Sequence, residues 1–407
     1  MRISFNQKYQ INLAAINKAQ EKLQLATTRM DNQSKILSPA DDPSGSARVV
    51  TLDQQINQTE QYQNNSITLK NNLGIAETVL TSIRTSMDQA RTLTVSLGNG
   101  AFSQLDRTAV SNQLGNIRSQ LFDLMNQQDS SGAFLFSGFQ SQKQPFSLDT
   151  STGRYVYNGD DGQKSIQVSP SVAIASNDSG KTVFEDVDTR YQTTGLTPSG
   201  GVTSAKVRMQ NQSVFDNFFR SNYDSATPAN NNYTVELTGA TSYEIRRNGA
   251  ALVPPVTGSY TSGQAINFQG LSITLEGTSP GQAAFSLQPP AKSNILNTLT
   301  DLINTVESGA TGEALATRVA DVLNQIDGAS LRVDSTISAI GGRQNVLDNV
   351  FGGNEDLQIT TKSYKAEIAE LDYAEAITEV TKQETALQAV QATFNRVTGT
   401  TLFDYIR

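Results

Sequence analysis

Two sets of apolar residues spaced seven apart, one near each end of the chain, constrain the fold more than any other feature. Near the start they are Tyr9, Ile16, Leu23, Met30 and Leu37; near the end they are Ile359, Ala366, Tyr373, Val380, Leu387 and Phe394, with Val390 and Val397 alongside. A strict seven-residue repeat keeps one apolar seam against a partner while helices supercoil. The first stripe is imperfect, because its companion positions include Gln20 and Thr27. Such a helix is marginal alone and needs a partner to bury its seam. The simplest packing brings both ends together as an antiparallel coiled coil, whose remaining apolar edges are filled by neighbouring subunits.

Between the ends the period changes twice. Ser38-Pro39-Ala40-Asp41-Asp42-Pro43 interrupts the first helix: Pro39 cannot continue it, Asp42 reads as the next N-cap, and Pro43 suits a first helical position. The second helix reads from there to about Leu97, through Leu52, Leu73, Leu80 and Met87, and would be roughly 80 Å long. Gly98-Asn99-Gly100 stops it, and a third helix runs from about Ser103 to Gln128. From Phe134 the pattern is strand-like. Arg154–Tyr157 and Ser165–Val168 flank Asn158–Gly162 as a predicted hairpin, and Asn248-Gly249 marks another turn. Further strands are expected at Tyr233–Leu237, Tyr243–Arg246, Leu271–Leu275 and Ala284–Leu287, a short helix at Val214–Phe219, and a loop at Thr197–Gly201. After Pro289-Pro290 the helical period returns through Val319, Ile326, Val333, Ile340 and Leu347, and Gly352-Gly353 is expected to break it.

The fold class is therefore α+β and multidomain: long antiparallel terminal helices form a coiled-coil or bundle rod around a central β-rich insertion at the far tip. The boundaries read as 1–40 (N-terminal assembly helix), 41–138 (inner rod, first half), 139–290 (β-rich outer insertion of one or two lobes), 291–353 (inner rod, second half) and 354–407 (C-terminal assembly helix).

Composition narrows the chemistry. The 407 residues contain no His, Cys or Trp. This removes disulfides, thiolate nucleophiles, Cys-ligated metals and every Ser-His-Asp arrangement. The net charge of −8 is opposite to a nucleic-acid binder's. Charged residues are only 17%, so the surface is largely Ser, Thr, Asn and Gln, which can pack against copies of itself with little charge to desolvate. The first ten residues hold no apolar stretch of signal-peptide length, and no run reaches the roughly 18–20 residues that span a bilayer. Read alone this is cytosolic, with export that uses no cleaved signal left open.

The motifs that could carry chemistry have simpler readings. Asp41-Asp42 are adjacent, so they do not face each other on a helix, and capping explains Asp42. Asn158–Gly162 lacks the alternating acids of a calcium loop and reads as a plain turn. Gly341-Gly342-Arg343 and Gly352-Gly353 follow no strand and carry no G-K-[ST], so they read as helix breaks or close packing. Tyr9, Tyr62, Tyr373 and Phe394 lie on the seams as core or subunit-contact residues. No catalytic constellation, metal set or cofactor site emerges, and the chain reads as a structural protein rather than an enzyme.

These residues resemble the flagellin superfamily, and within it the FlgL-type hook–filament junction family. Met1-Arg2-Ile3-Ser4 is similar to the family's opening, and Leu37-Ser38-Pro39-Ala40-Asp41-Asp42-Pro43 to its S-P-x-D-D-P segment. Phe134–Gly138, Pro145-Phe146, Tyr157–Asp160 and Gly180–Phe184 resemble its passage into the outer domain. Gly342–Asp348, Ala386–Ala389 and the ending Leu402-Phe403-Asp404-Tyr405-Ile406 complete the likeness. It covers roughly 1–185 and 291–407; 186–290 matches no family motif. Filament flagellins lack the two prolines of the break, which sets that reading second.

The resemblance implies an extracellular part of the bacterial flagellum, exported unfolded by the type III apparatus without a cleaved signal. It implies a ring of self-associated copies between a protein of the hook-associated protein 1 type and flagellin. A type III export chaperone of the FlgN type is expected on the C-terminal segment, and neither nucleic acid nor membrane is a partner. The expected assembly interface is Tyr9, Ile16, Leu23, Met30, Leu37, Ile359, Tyr373, Val380, Leu387, Val390, Phe394, Leu402, Phe403 and Tyr405, with Pro39, Asp42 and Pro43 as break and cap.

Overall fold

A computed structural model of the chain describes residues 5–399. Met1–Ser4 and the ending that contains Leu402, Phe403 and Tyr405 lie outside the described residues. The fold is α+β, as the sequence predicts. Long helices occupy both ends: α1 (Phe5–Asp31), α2 (Pro43–Leu97), α3 (Gln104–Met125), then α5 (Ile295–Glu307), α6 (Gly312–Ala369) and α7 (Tyr373–Gly399). Between α3 and α5 the chain is mainly antiparallel strand, with one helix, α4 (Gln212–Asn222). The chain divides into two compact units, one of residues 1–71, 165–175 and 342–407, the other of 72–164 and 176–341.

The first unit holds both chain ends. α1 stops earlier than the seven-residue pattern suggests, at Asp31 rather than near Leu37. Gln33 enters the left-handed region (φ 54°), and the amides of Gln33 and Ser34 donate to the carbonyls of Met30 and Arg29. That is a Schellman ending, and it satisfies two of the last carbonyls of the helix. Ser34 then bridges Glu370, and the Lys35 amide donates to the Ala369 carbonyl at 2.8 Å. Asp42 Oδ1 accepts from the Gly45 amide at 2.9 Å, and Pro43 is the first residue of α2. In this unit α2 and α6 run antiparallel, with Lys365 paired to Asp53 and Lys70 to Asp348, both at 2.6 Å. Ile56, Thr59, Tyr62, Ser66 and Leu69 of α2 are buried, as are Leu347, Asn354 and Thr361 of α6.

Gly352-Gly353 does not break α6, which runs on to Ala369. The interruption falls instead at Glu370-Leu371-Asp372, where the Asp372 carboxylate accepts from the Ala374 amide at 2.8 Å and starts α7. The expected last helix is thus two, with Ile359 and Ala366 on α6 and Tyr373 onward on α7. Neither glycine pair marks close packing: a Cβ at Gly341, Gly342, Gly352 or Gly353 would meet nothing within 4 Å. Two mid-helix glycines cost only about 1 kcal/mol each, which the buried residues on either side offset.

A small hairpin also belongs to this unit. β3 (Ser165–Gln167) pairs with β4 (Ala173–Ala175), burying Val168 and Ile174. Asn65 donates to the Gln167 carbonyl and Asn354 to the Val168 carbonyl, so both long helices hold it. The hairpin expected across Asn158–Gly162 does not form. Its two strands pair elsewhere: β2 (Arg154–Tyr157) with β1 (Phe146–Asp149), and β3 with β4. Asp160 Oδ1 accepts from the Phe139 and Gly162 amides at 2.8 Å, which turns the loop back on itself.

In the second unit, α2 and α6 bury Leu73, Leu80, Ile83, Met87, Val322, Ile326, Val333 and Ile340. Arg84 pairs with Asp334 at 3.2 Å and Arg91 with Asp327 at 2.7 Å, one heptad apart on each helix. α3 packs on α5, with Arg118 donating to Thr300 Oγ1 at 3.0 Å. The chain enters and leaves the β lobe through two short ladders, β5 (Val187–Asp188) with β13 (Lys292–Ser293), and β6 (Gln192–Thr193) with the end of β12 (Leu271–Gln288). The lobe itself is β7 (Thr197–Met209), β8 (Asn232–Gly239), β9 (Ser242–Arg247), β10 (Ala250–Ser259), β11 (Ala265–Phe268) and β12, closed over a core of Phe215, Phe218, Tyr233, Ile245, Ile273 and Phe285. Thr197–Gly201 is strand rather than loop. Thr197–Gly200 pairs with Ala284–Gly281 of β12, and at the register shift that follows a Cβ on Gly201 would come within 2.2 Å of the Thr278 carbonyl oxygen. Asn248-Gly249 forms the expected two-residue turn, both at positive φ, with Arg247 opposite Ala250.

Candidate assembly surface of the paired ends

α1 and α7 lie antiparallel. Tyr9 meets Phe394 at one end of the pair, with ring centroids 5.4 Å apart at 54°, and Ser34 meets Glu370 at the other. Charge favours this pairing: Lys22 of α1 helps hold the Glu379 carboxyl below the usual range, after hydrogen bonds from Gln383 and Lys382. The contact is nonetheless thin. Among the described residues of the two helices, only Ala19 and Ala376 are buried apolar side chains. These stand three residues after Ile16 and Tyr373, not at the four-residue companion positions Gln20 and Thr27. Small side chains there let the backbones approach, a signal hidden from a reading keyed to large apolar residues.

Ile16, Leu23, Met30, Leu37, Val380, Leu387, Val390 and Phe394 are half-buried. Tyr9 is 40%, Tyr373 48% and Ile359 60% exposed. More apolar surface lies beside them, on Ile11, Leu13, Leu25 and Ile377. Val346, Leu357 and Tyr364 are also exposed, at spacings of eleven and seven that put them on one face of α6. A chain of ordinary globular type buries such residues; here they stay open.

The break between α1 and α2 is built by two neighbouring carboxylates with separate tasks. Asp42 caps α2. Asp41 Oδ2 accepts from the amides of Leu37 and Ser38, at 3.0 and 3.1 Å, and its other oxygen lies 3.8 Å from Arg29 Nη2. Pro39 sits in the exposed turn these bonds define. The sequence marks Asp41 only as the neighbour of Asp42 and gives no sign of Arg29.

Elsewhere, polar clusters are spent on structure. The Glu185 carboxyl is pushed up by burial while accepting from Asn294 Nδ2 at 3.2 Å. Burial likewise pushes Asp321 up, against the pull of Arg190 and Arg318. Among the described residues no group of three or more Asp, Glu, His or Cys could hold a metal ion, and no helix is long and apolar enough to cross a membrane.

The family of bacterial flagellin N-terminal helical regions matches residues 3–141. A curated relative, flagellar hook-associated protein 3 of Salmonella typhimurium, is 30% identical over 46% of this chain and 58% of its own length. The same protein of Escherichia coli is 27% identical over 46% and 58%. The chain thus spans little more than half the length of the curated relatives it matches. The crystal structure of flagellar hook-associated protein 3 from Legionella pneumophila is 27% identical, covers 79% of this chain and 98% of that one, and superposes with a TM-score of 0.59.

Proposed function

We propose, for a chain that resembles FlgL-type proteins of the flagellin superfamily, that it is a structural junction subunit of the bacterial flagellum. The observation that carries the reading is the pairing of α1 with α7 along a seam left largely open. An open seam on paired ends suits helices that are completed by neighbouring copies and by axial subunits. On this reading the assembly residues are those of the two seven-residue stripes, continued into Leu402, Phe403 and Tyr405. The subunits form a ring, with a hook-associated protein 1 type below and flagellin above. The chain reaches that position unfolded through the type III apparatus, with a FlgN-type chaperone on its C-terminal segment. It makes and breaks no bonds. The inner helices stiffen the wall, and the β lobe projects outward.

Deleting the gene tests this. The expected result is complete hooks without filaments, with flagellin lost to the medium. Normal filaments on the deletion strain would overturn it. A protein that dominates sheared filaments, rather than forming a trace band, would identify a filament subunit instead.

A further inference from the structure

We propose that Asn99 is a self-modification site, at which the folded chain converts its own side-chain amide to a mixture of aspartate and isoaspartate without an enzyme. Asn-Gly occurs at Asn99, Asn158 and Asn248, so the dipeptide by itself does not choose among them. A glycine after asparagine leaves the backbone nitrogen uncrowded and free to approach the side-chain amide. The fold decides which of these asparagines can use that freedom.

The chemistry is an intramolecular acyl transfer. The Gly100 backbone nitrogen bonds to Asn99 Cγ and gives up its proton to solvent base. The Cγ–Nδ2 bond breaks, and Nδ2 takes a proton from water and leaves as ammonia. A cyclic imide remains. Water then opens it at either carbonyl, giving aspartate, or isoaspartate with the chain routed through Cγ. Nothing is oxidised or reduced: water enters, ammonia leaves, and the side chain gains a negative charge. Nucleophile and carbonyl belong to adjacent residues, so the step needs only a backbone free to turn and a donor for the oxyanion that forms.

Asn99 has both. It lies in the exposed turn between α2 and α3, and a Cβ on Gly100 would meet nothing within 4 Å. Its Oδ1 accepts from the Ala101 amide at 3.1 Å, a donor already placed on the oxygen that becomes the oxyanion. Its Nδ2, the leaving group, has no acceptor among the described residues. Turning the backbone breaks the 3.2 Å bond from the Phe102 amide to the Asn99 carbonyl, which water replaces at an exposed turn. At Asn158 and Asn248 the amide is held by its other end. Asn158 Nδ2 donates to Ser147 Oγ at 2.8 Å, and a Cβ on Gly159 would press on Tyr157 Oη. Asn248 Nδ2 donates to Asn230 Oδ1 at 3.1 Å. Asn248 and Gly249 sit at φ 49° and 77° in a turn closed by Arg247 opposite Ala250, so the backbone cannot turn without opening the β9–β10 end.

Ageing of the full-length chain in mildly alkaline buffer, followed by peptide mapping and mass spectrometry, tests this. In the folded chain the peptide holding Asn99 should show the amide-to-acid mass gain, split between aspartate and isoaspartate, about tenfold faster than those holding Asn158 and Asn248. In guanidinium chloride, where only the shared dipeptide remains, the three rates should draw together. Conversion of Asn158 or Asn248 as fast as Asn99 in the folded chain would overturn the proposal. A tenfold lead that persisted in denaturant would overturn it too, because the cause would then lie in neighbouring sequence and not in the fold. Asn99→Gln lengthens the side chain so that the ring closes poorly. It should abolish the acidic form of this peptide and leave the slow conversion of the other two unchanged, with folding checked by circular dichroism. An acidic form of the same peptide in Asn99→Gln would place the reaction at another residue and sink the assignment.

Discussion

Tyr9 and Phe394, separated by almost the whole chain, hold their rings 5.4 Å apart at an interplanar angle of 54°. Such tilted pairs contribute about 0.5–1.5 kcal/mol beyond their buried area. Tyr9 is still 40% exposed, so the pair marks where the ends meet without closing them against solvent.

Gentle proteolysis of a dilute monomer should therefore remove the two ends first. With Ala19 and Ala376 as the buried apolar side chains of the α1–α7 pair among the described residues, local opening costs far less than global unfolding. Mass spectrometry should show loss of about the first 35 and last 45 residues before any cut in the β lobe. Ends as resistant as the lobe would contradict coupled folding and assembly.

Glycines of two kinds should respond in opposite directions. Ala at Gly342 or Gly353 meets nothing within 4 Å inside a continuous helix, so each change should stabilise the isolated chain by about 1 kcal/mol. Gly201→Ala drives a Cβ into the Thr278 carbonyl at 2.2 Å and should cost about 1–3 kcal/mol. Urea midpoints of the three variants check both signs.

The same glycines show how far the sequence carries. Seven-residue spacing is a property of helix surfaces, so the long helices and the pairing of the ends were legible in Tyr9 to Met30 and Tyr373 to Phe394. Asn248-Gly249 was legible because a two-residue turn dictates its own φ values. Gly352-Gly353 was misread because a local penalty is overruled by buried Leu347, Asn354 and Thr361 on the same helix. Asn158–Gly162 was misread because strand partners are chosen by the rest of the fold, and Arg154–Tyr157 finds its partner upstream. The approach of Arg29 to Asp41 was invisible: twelve residues apart in sequence, they come within 3.8 Å only because the chain turns back after α1.

Arg190 and Asp321 should couple strongly. Their 2.8 Å ion pair joins the entry into the β lobe to α6, with side chains 9% and 14% exposed, and Gln192 also donates to Asp321. Asp321→Ala leaves the guanidinium buried and alone, at a cost of about 3–5 kcal/mol, whereas Arg190→Leu with Asp321→Leu should be near neutral. Burial raises the Asp321 pKa, so the fold favours its neutral form. This group's contribution to stability therefore improves as pH falls from neutral through its raised pKa. Denaturant titrations of the singles and the double complete the cycle.

Asp149 behaves oppositely. The Ser151 hydroxyl and amide, with Thr152, hold its carboxyl down to about 2. A depressed carboxylate supports the β1–β2 turn above its ordinary range and loses that support as pH falls through about 2. Ser151→Ala should return the carboxyl toward its usual range, so the turn loosens at higher pH. A nuclear magnetic resonance titration of Asp149, read with amide protection in β1 and β2, would show both shifts; an unmoved Asp149 would contradict the hydrogen-bond cause.

Leu387→Asp separates assembly from folding. Leu387 is half-buried on α7, seven residues before Phe394. A carboxylate there puts a charge into a half-buried apolar seam, at a cost of about 1–3 kcal/mol to the α1–α7 pair. The β lobe has its own core, around Phe215 and Tyr233, and loses nothing. The variant should therefore keep the lobe's melting transition, lose helix at the ends, and fail to support filaments in a deletion strain. Filaments of normal number would mean that this face of α7 is not needed for assembly.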